Sequence, residues 1–200
     1  MPQIIRNMGF TSTNAQLLTA PPYFLGAISA LVNSFFADRT SKRVPFLVGP
    51  LTLLIIGYAV LFVKAADIAN NVALCYAMVA LVCIGVYPVI PGCNAWTVNN
   101  LAGAEKRPMG IGWLVTLGNC GGLIASFIYL ERESPEYPTG FGTSLAFAAA
   151  GLVAAVLLAL SYWSHNKKYA GVTEDAAKEQ WGSEKLETLG DRSPLFKYQI

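Results

Sequence analysis

The chemistry open to the interior of this chain is hydrogen bonding by neutral groups. Asn33, Tyr87, Asn94 and Asn119 each lie in a long run that contains no Asp, Glu, Lys or Arg. An amide donates and accepts, and a phenol does both from one oxygen. Asn119 falls near the middle of its run, where an unpaired amide is costly. It must therefore bond another helix, a water or a ligand. Tyr76, Cys83, Tyr87 and Asn94 fall close to one face at helical spacing, either as a packing stripe or as a functional face. Asn33 shares a face with Gly26 and Ala30, which reads as packing between helices.

Catalytic groupings are missing from the sequence. There is no GxSxG, phosphate loop, HExxH or pair of carboxylates within a run. Cys75, Cys83, Cys93 and Cys120 show no CxxC spacing, and His165 is the only histidine. They read as reduced, buried small residues, so no metal, cofactor or enzymatic activity is expected. A net charge of +2, with 13% charged residues, gives no reason to expect a nucleic-acid partner. With no intramembrane charge, these runs hold neither a proton relay nor a counter-ion for a charged ligand.

The elements that must position these residues follow from the charge pattern. Five charge-free runs cover Asn7–Ala37, Val44–Val63, Ile68–Ala104, Pro108–Leu130 and Tyr137–Asn166. Each can hold the roughly 20 apolar residues that span a hydrocarbon core. The expected fold is an all-α membrane protein with five transmembrane helices, at about 22–37, 44–63, 72–93, 109–130 and 143–163. Residues 1–21 form a preceding segment and loop, and residues 164–200 a polar tail. A short amphipathic helix is expected at Thr173–Trp181, with the rest of the tail mostly irregular. Pro88 and Pro91 should kink the third span. Gly118 and Gly122 form a GxxxG in the fourth, a pattern that lets two helices approach closely. The second and fifth spans are almost purely apolar and read as lipid-facing or supporting helices.

Lys and Arg set the orientation. One set of connections holds Arg39, Lys42, Arg43, Lys106, Arg107, Lys167 and Lys168, and the other only Arg6, Lys64 and Arg132, seven against three. The first set is expected in the cytoplasm. The chain then starts outside and ends inside. No signal peptide is read in Met1–Phe10, so this orientation is natural if a helix precedes the sequence.

The loop Asp38–Arg39–Thr40–Ser41–Lys42–Arg43 follows a span directly. It resembles the D-R-x-G-R-[RK] signature of the major facilitator superfamily, with Ser34 and Ser41 where that signature has glycine. More of the chain is similar to one fungal branch, the anion:cation symporters that include allantoate, nicotinate and pantothenate permeases. The run Ala15–Tyr23 resembles the approach to that branch's eighth helix. Gly85–Val–Tyr87–Pro88–x–x–Pro91 with Ala95–Trp96, then Asn99–Asn100–x–Ala102–Gly103 and Lys106–Arg107, resembles its tenth helix and following loop. Gly118–Asn119–x–Gly121–Gly122 resembles its eleventh. Ser134–Pro135–x–Tyr137 with Gly140 and Gly142, and Asp191–Arg–Ser–Pro194–x–Phe196–Lys197–Tyr198, resemble its last loop and its C-terminal end.

The resemblance implies that the five spans are helices eight to twelve of a twelve-helix carrier. Met1–Phe10 would be the outer end of helix seven, and the six-helix N-terminal half would be the absent partner. It implies transport of a small organic anion, with protons as the coupling ion, in the plasma membrane. Asn33, Tyr87, Asn94 and Asn119 become cavity or gate residues, and Asp38, Arg39, Lys42 and Arg43 serve a cytoplasmic gate. The alternative is a truncated membrane protein that transports nothing and has an interaction role or none.

Overall fold

The computed structural model describes residues 5, 12–64, 67, 70–103, 105–134, 136–182, 186 and 189–200. Apart from Ile5, the expected end of a seventh helix, Met1–Phe10, lies outside the described residues. The elements are α1 (Ser12–Leu17), α2 (Ala20–Thr40), α3 (Val44–Lys64), α4 (Val72–Asn99), α5 (Lys106–Ile128), α6 (Pro138–Lys168) and α7 (Glu174–Trp181). Short 3-10 turns stand at Glu131–Glu133 and Gly190–Arg192. The fold is all-α, and five helices are long and apolar enough to cross a membrane, with α1 and α2 counted as one.

Local chemistry explains the helix ends. Pro21 and Pro22 sit in the first turn of α2, where a missing N–H costs nothing. Its last turn closes through Ser41, at φ 54°, whose N–H donates to the Asp38 carbonyl. Pro138 likewise starts α6. Helix α4 runs unbroken across Pro88 and Pro91 to Asn99, beyond the Cys93 end expected from sequence.

Packing centres on α3 and α4. Leu51, Leu54 and Leu61 of α3 bury against Val79 and Val82 of α4 and against Phe141 and Ala148 of α6. Leu47, Trp96 and Ala159 form a second cluster nearer the basic end. On its other side α4 meets α2. The second span is therefore a packed central helix, although its composition alone allowed a lipid-facing one. Helix α5 differs from its neighbours in burying none of its residues. Leu117, Leu123 and Phe127 are left exposed on it.

Glycines set two of these crossings. A methyl group on Gly85 would lie 2.8 Å from both the Leu54 nitrogen and the Pro50 oxygen, so α3 and α4 touch backbone to backbone there. One on Gly26 would lie 2.7 Å from the Tyr87 ring and 3.2 Å from the Cys83 carbonyl, which fixes the α2–α4 approach.

Among its described residues the tail carries one short helix and is otherwise irregular, apart from the turn at Gly190–Arg192. α7 begins after Thr173 and carries a Glu174–Lys178 ion pair of 2.6 Å. Beyond it, residues 190–200 return to the basic end of the bundle. The Lys106 ammonium meets the Asp191 carboxylate at 2.6 Å. Burial pushes the Asp191 carboxyl up, but the hydrogen bond and charge of Lys106 outweigh it, and the group sits below its ordinary value. This pair is therefore intact at neutral pH and is lost only as pH falls through that lowered value.

Replacing Gly85 with alanine is expected to lower the thermal midpoint of the detergent-solubilised protein, at a cost of about 1–3 kcal/mol, because backbone atoms stand in the way. Gly118→Ala meets nothing within 4 Å. It is expected to leave the midpoint unchanged or to raise it, alanine being the better helix former by about 1 kcal/mol. Equal losses in both variants would sink the assignment of the α3–α4 crossing.

Candidate functional site

The site begins with two prolines. Pro50 has no N–H to give the Phe46 carbonyl four residues earlier, and Pro88 none to give Ile84. In lipid no water replaces the missing donor. Both donors come from α2. Asn33 Nδ2 donates to the Phe46 carbonyl at 2.9 Å, and Ser29 Oγ donates to the Ile84 carbonyl at 2.9 Å. Ser29 and Asn33 stand four residues apart, so one face of α2 serves both proline helices.

Asn33 also lines a small cavity of about 220 Å³ at the basic end, with Ser34, Asp38, Arg43 and Pro91 among the other walls. An Arg43 guanidinium nitrogen reaches the Asp38 carboxylate at 2.6 Å. The Arg43 side chain is only 13% exposed, against 68% for Asp38. Its Nε is buried and makes no hydrogen bond. Arg39 and Lys42 point into the surroundings from the same loop and are exposed.

The remaining polar candidates spread along α4 and α5. Tyr87 is partly exposed, with its ring 6.3 Å from Tyr23 across the α2–α4 approach. Tyr76, one face up, donates its hydroxyl to the Leu18 carbonyl at 3.0 Å. Asn94 holds its Oδ1 buried with no hydrogen-bond partner. Asn119 is exposed on α5. Thr116 and Ser126, on the same helix, turn their hydroxyls back to the Gly112 and Gly122 carbonyls at 2.8 and 3.1 Å. No atom lies within 4 Å of a methyl placed on Gly118, Gly121 or Gly122, so no described helix packs on that small-residue face.

The structure thus brings Asn33, Asp38 and Arg43 to one cavity. It places Tyr87 and Asn94 on the neighbouring helix and leaves Asn119 apart. Ser29 escaped the sequence reading. The proline at position 88 announced an orphan carbonyl, but nothing in the sequence named the helix that answers it. Among the described residues no cluster of His, Cys, Asp or Glu is arranged to hold a metal.

Long apolar helices, charges confined to their ends and neutral polar groups between them define a polytopic integral membrane protein. The Major Facilitator Superfamily model matches residues 1–197, and the chain belongs to that family. It is 30% identical over 205 residues to the MFS-type transporter cnsO of Penicillium expansum, covering all of this chain and 39% of that protein. It is 32% identical over 201 residues to an uncharacterized transporter of Schizosaccharomyces pombe, covering all of this chain and 38% of the relative. It is 31% identical over 199 residues to the high-affinity nicotinic acid transporter of Saccharomyces cerevisiae, covering 99% of this chain and 36% of that protein. The chain therefore spans well under half the length of these relatives. No solved structure matches it.

Ser29→Ala and Asn33→Ala are each expected to destabilise the protein by about 0.6–2 kcal/mol, since each leaves a carbonyl unpaired. Pro88→Ala restores an N–H to Ile84 and should erase the cost of Ser29→Ala. Pro50→Ala should do the same for Asn33→Ala. Unfolding of the four single and two double variants checks this, and costs that simply add would refute the pairing.

Proposed function

We propose that this chain is the C-terminal part of a carrier that moves a small organic anion across the plasma membrane by alternating access, coupled to protons. The observation that supports this reading most is similarity along the whole chain to fungal transporters, one of them named for nicotinic acid. The geometry is consistent with it. α2 and α4 are pinned together by Ser29, while Tyr87 and Asn119 remain exposed and Asn94 keeps a free acceptor.

In such a carrier two halves rock about a site near the middle of the bilayer. Asn33 already spends its amide N–H on Phe46, so it serves as a brace and as a cavity wall. Tyr87, Asn94 and Asn119 are the groups left to meet a solute. None carries charge, so the counter-charge for a carboxylate and the proton site belong to the complementary half. The open face of α5, with Gly118 and Gly122, is where that half would pack. Asp38 and Arg43 would hold the α2–α3 loop in one position of the cytoplasmic gate.

A chimera tests the reading. Residues 1–200 replace the matching segment of the yeast nicotinic acid transporter, and uptake of labelled nicotinate is measured in cells lacking their own uptake. The chimera is expected to take up nicotinate, more strongly at acidic external pH and not in the presence of a protonophore. Asn119→Leu is expected to cut uptake about tenfold or more without lowering the amount in the membrane, as loss of one solute hydrogen bond predicts. A chimera that inserts fully yet moves nothing, under any gradient, would overturn the proposal in favour of a non-transporting membrane protein.

A further inference from the structure

Residues 196–200 are held by two asparagines in an arrangement unlike an ordinary chain end. Asn166 accepts the Tyr198 N–H at 2.9 Å through Oδ1 and donates to the Tyr198 carbonyl at 2.8 Å through Nδ2. Asn100 accepts the Gln199 N–H at 2.7 Å and donates to the Gln199 carbonyl at 3.1 Å. Each amide thus pairs with both backbone groups of one residue, as a neighbouring β-strand would. Asn100 is 2% exposed, and Trp96 Nε1 adds a second bond to the Gln199 carbonyl at 2.9 Å. Beside this clamp, the Tyr198 ring stacks on Tyr162 at 4.2 Å and 6°.

The far side of the same segment grips the loop between α2 and α3. Gln199 Nε2 donates to the Ser41 carbonyl at 3.0 Å, and the Arg43 N–H donates to the Ile200 carbonyl at 3.2 Å. Arg43 is the residue paired with Asp38. The segment therefore ties that loop to the ends of α4 and α6, which it otherwise meets only through helix packing. Movement of the α2–α3 loop away from the ends of α4 and α6 must break these bonds.

The attachment is also of a kind that can let go. Tyr198, Gln199 and Ile200 are only partly buried, and Lys197 is exposed. Apart from the backbone bond from Arg43 to Ile200, these bonds are side chain to backbone, at the basic end of the bundle, where exchange of a hydrogen bond with water has a modest net cost. A core element is held by buried apolar area instead.

We propose that the ends of α4 and α6 form a slot that reads extended backbone through Asn100 and Asn166, and that residues 196–200 occupy it as a releasable latch on the α2–α3 loop. The slot recognises an extended peptide with an aromatic side chain followed by an amide, and its resident ligand is the chain's own tail. Its meaning as a gate latch rests on the carrier reading given above. The slot and its occupant are measurable whether or not the chain moves solute.

Amide hydrogen exchange on the protein in lipid nanodiscs tests this directly. The Arg43, Tyr198 and Gln199 amides are expected to be protected in the unaltered chain. In Asn100→Ala and in Asn166→Ala the Tyr198 and Gln199 amides should exchange about tenfold faster or more, and Arg43 with them, while Leu54 and Val82 keep their protection. A second measurement leaves the sequence untouched. Excess free peptide of residues 195–200 should displace the resident tail, so that Tyr198 and Gln199 exchange faster while Arg43 stays protected by the incoming peptide. Tail amides that exchange freely in the unaltered protein would overturn the proposal. So would tail release that leaves Arg43 unchanged in the variants, or excess peptide that leaves the resident tail in place.

Discussion

A bilayer offers no water to an orphan carbonyl, and this constraint organises the structure. Pro50 in α3 and Pro88 in α4 each strip one hydrogen bond from their helix. Both debts fall due on α2, through Ser29 and Asn33. The relative position of three helices is thereby fixed by two side chains one turn apart. Sliding α2 by a turn along its neighbours would bring Ala37 to Phe46 or Leu25 to Ile84 and leave a carbonyl bare in a medium of low dielectric, so this register is specified by polar satisfaction as well as by shape.

Once α2 is fixed, shape does the rest. Gly26 lets α2 approach the Tyr87 ring, and Gly85 lets α4 touch the backbone of α3 beside Pro50. The proline that opens the Phe46 carbonyl thus lies at the same crossing as the glycine that admits the next helix. In lipid, apolar side chains gain little by leaving one hydrocarbon for another, and close backbone contact with paired polar groups carries the association. Helix α5 has neither feature. It buries no residue, its Thr116 and Ser126 hydroxyls bond within their own helix, and a methyl on Gly112, Gly118, Gly121 or Gly122 would touch no neighbouring helix, only Gly110 being crowded, by Leu101. The relatives are more than twice as long as this chain.

The spans were legible because membrane solvation writes them into the sequence as charge-free runs. The ends were less so. The third span reads as ending near Cys93, with a kink at Pro88 and Pro91, yet α4 continues to Asn99. Proline removes one bond and does not by itself end a helix whose neighbours can compensate. Of the polar residues picked out by type, Asn33, Asp38 and Arg43 do converge. Asp38 and Arg43 share the loop that the sequence already sets apart, whereas the place of Asn33 beside them depends on how α2, α3 and α4 pack. The same holds for the glycines. A GxxxG is a pattern within one helix, whereas Gly26 and Gly85 matter through atoms on another. The tail reads as irregular from its mixed charge, and its order comes from Asn100 and Asn166, which look in sequence like ordinary polar residues near helix ends.

The interior and the basic end of the bundle are therefore held by different physics. In the interior, a misplaced helix leaves an unpaired carbonyl with no substitute, so Ser29 and Asn33 act as fixed points. At the basic end the tail residues Tyr198, Gln199 and Ile200 are only partly buried, and the Asp38–Arg43 pair is open to solvent on its acidic side. A carrier needs such an asymmetry. The helices that shape a pathway must keep their register while the ends that open and close it exchange partners at little net cost. The placement of prolines under α2 and of asparagines at the ends of α4 and α6 supplies both properties from neutral side chains, without a charge inside the membrane.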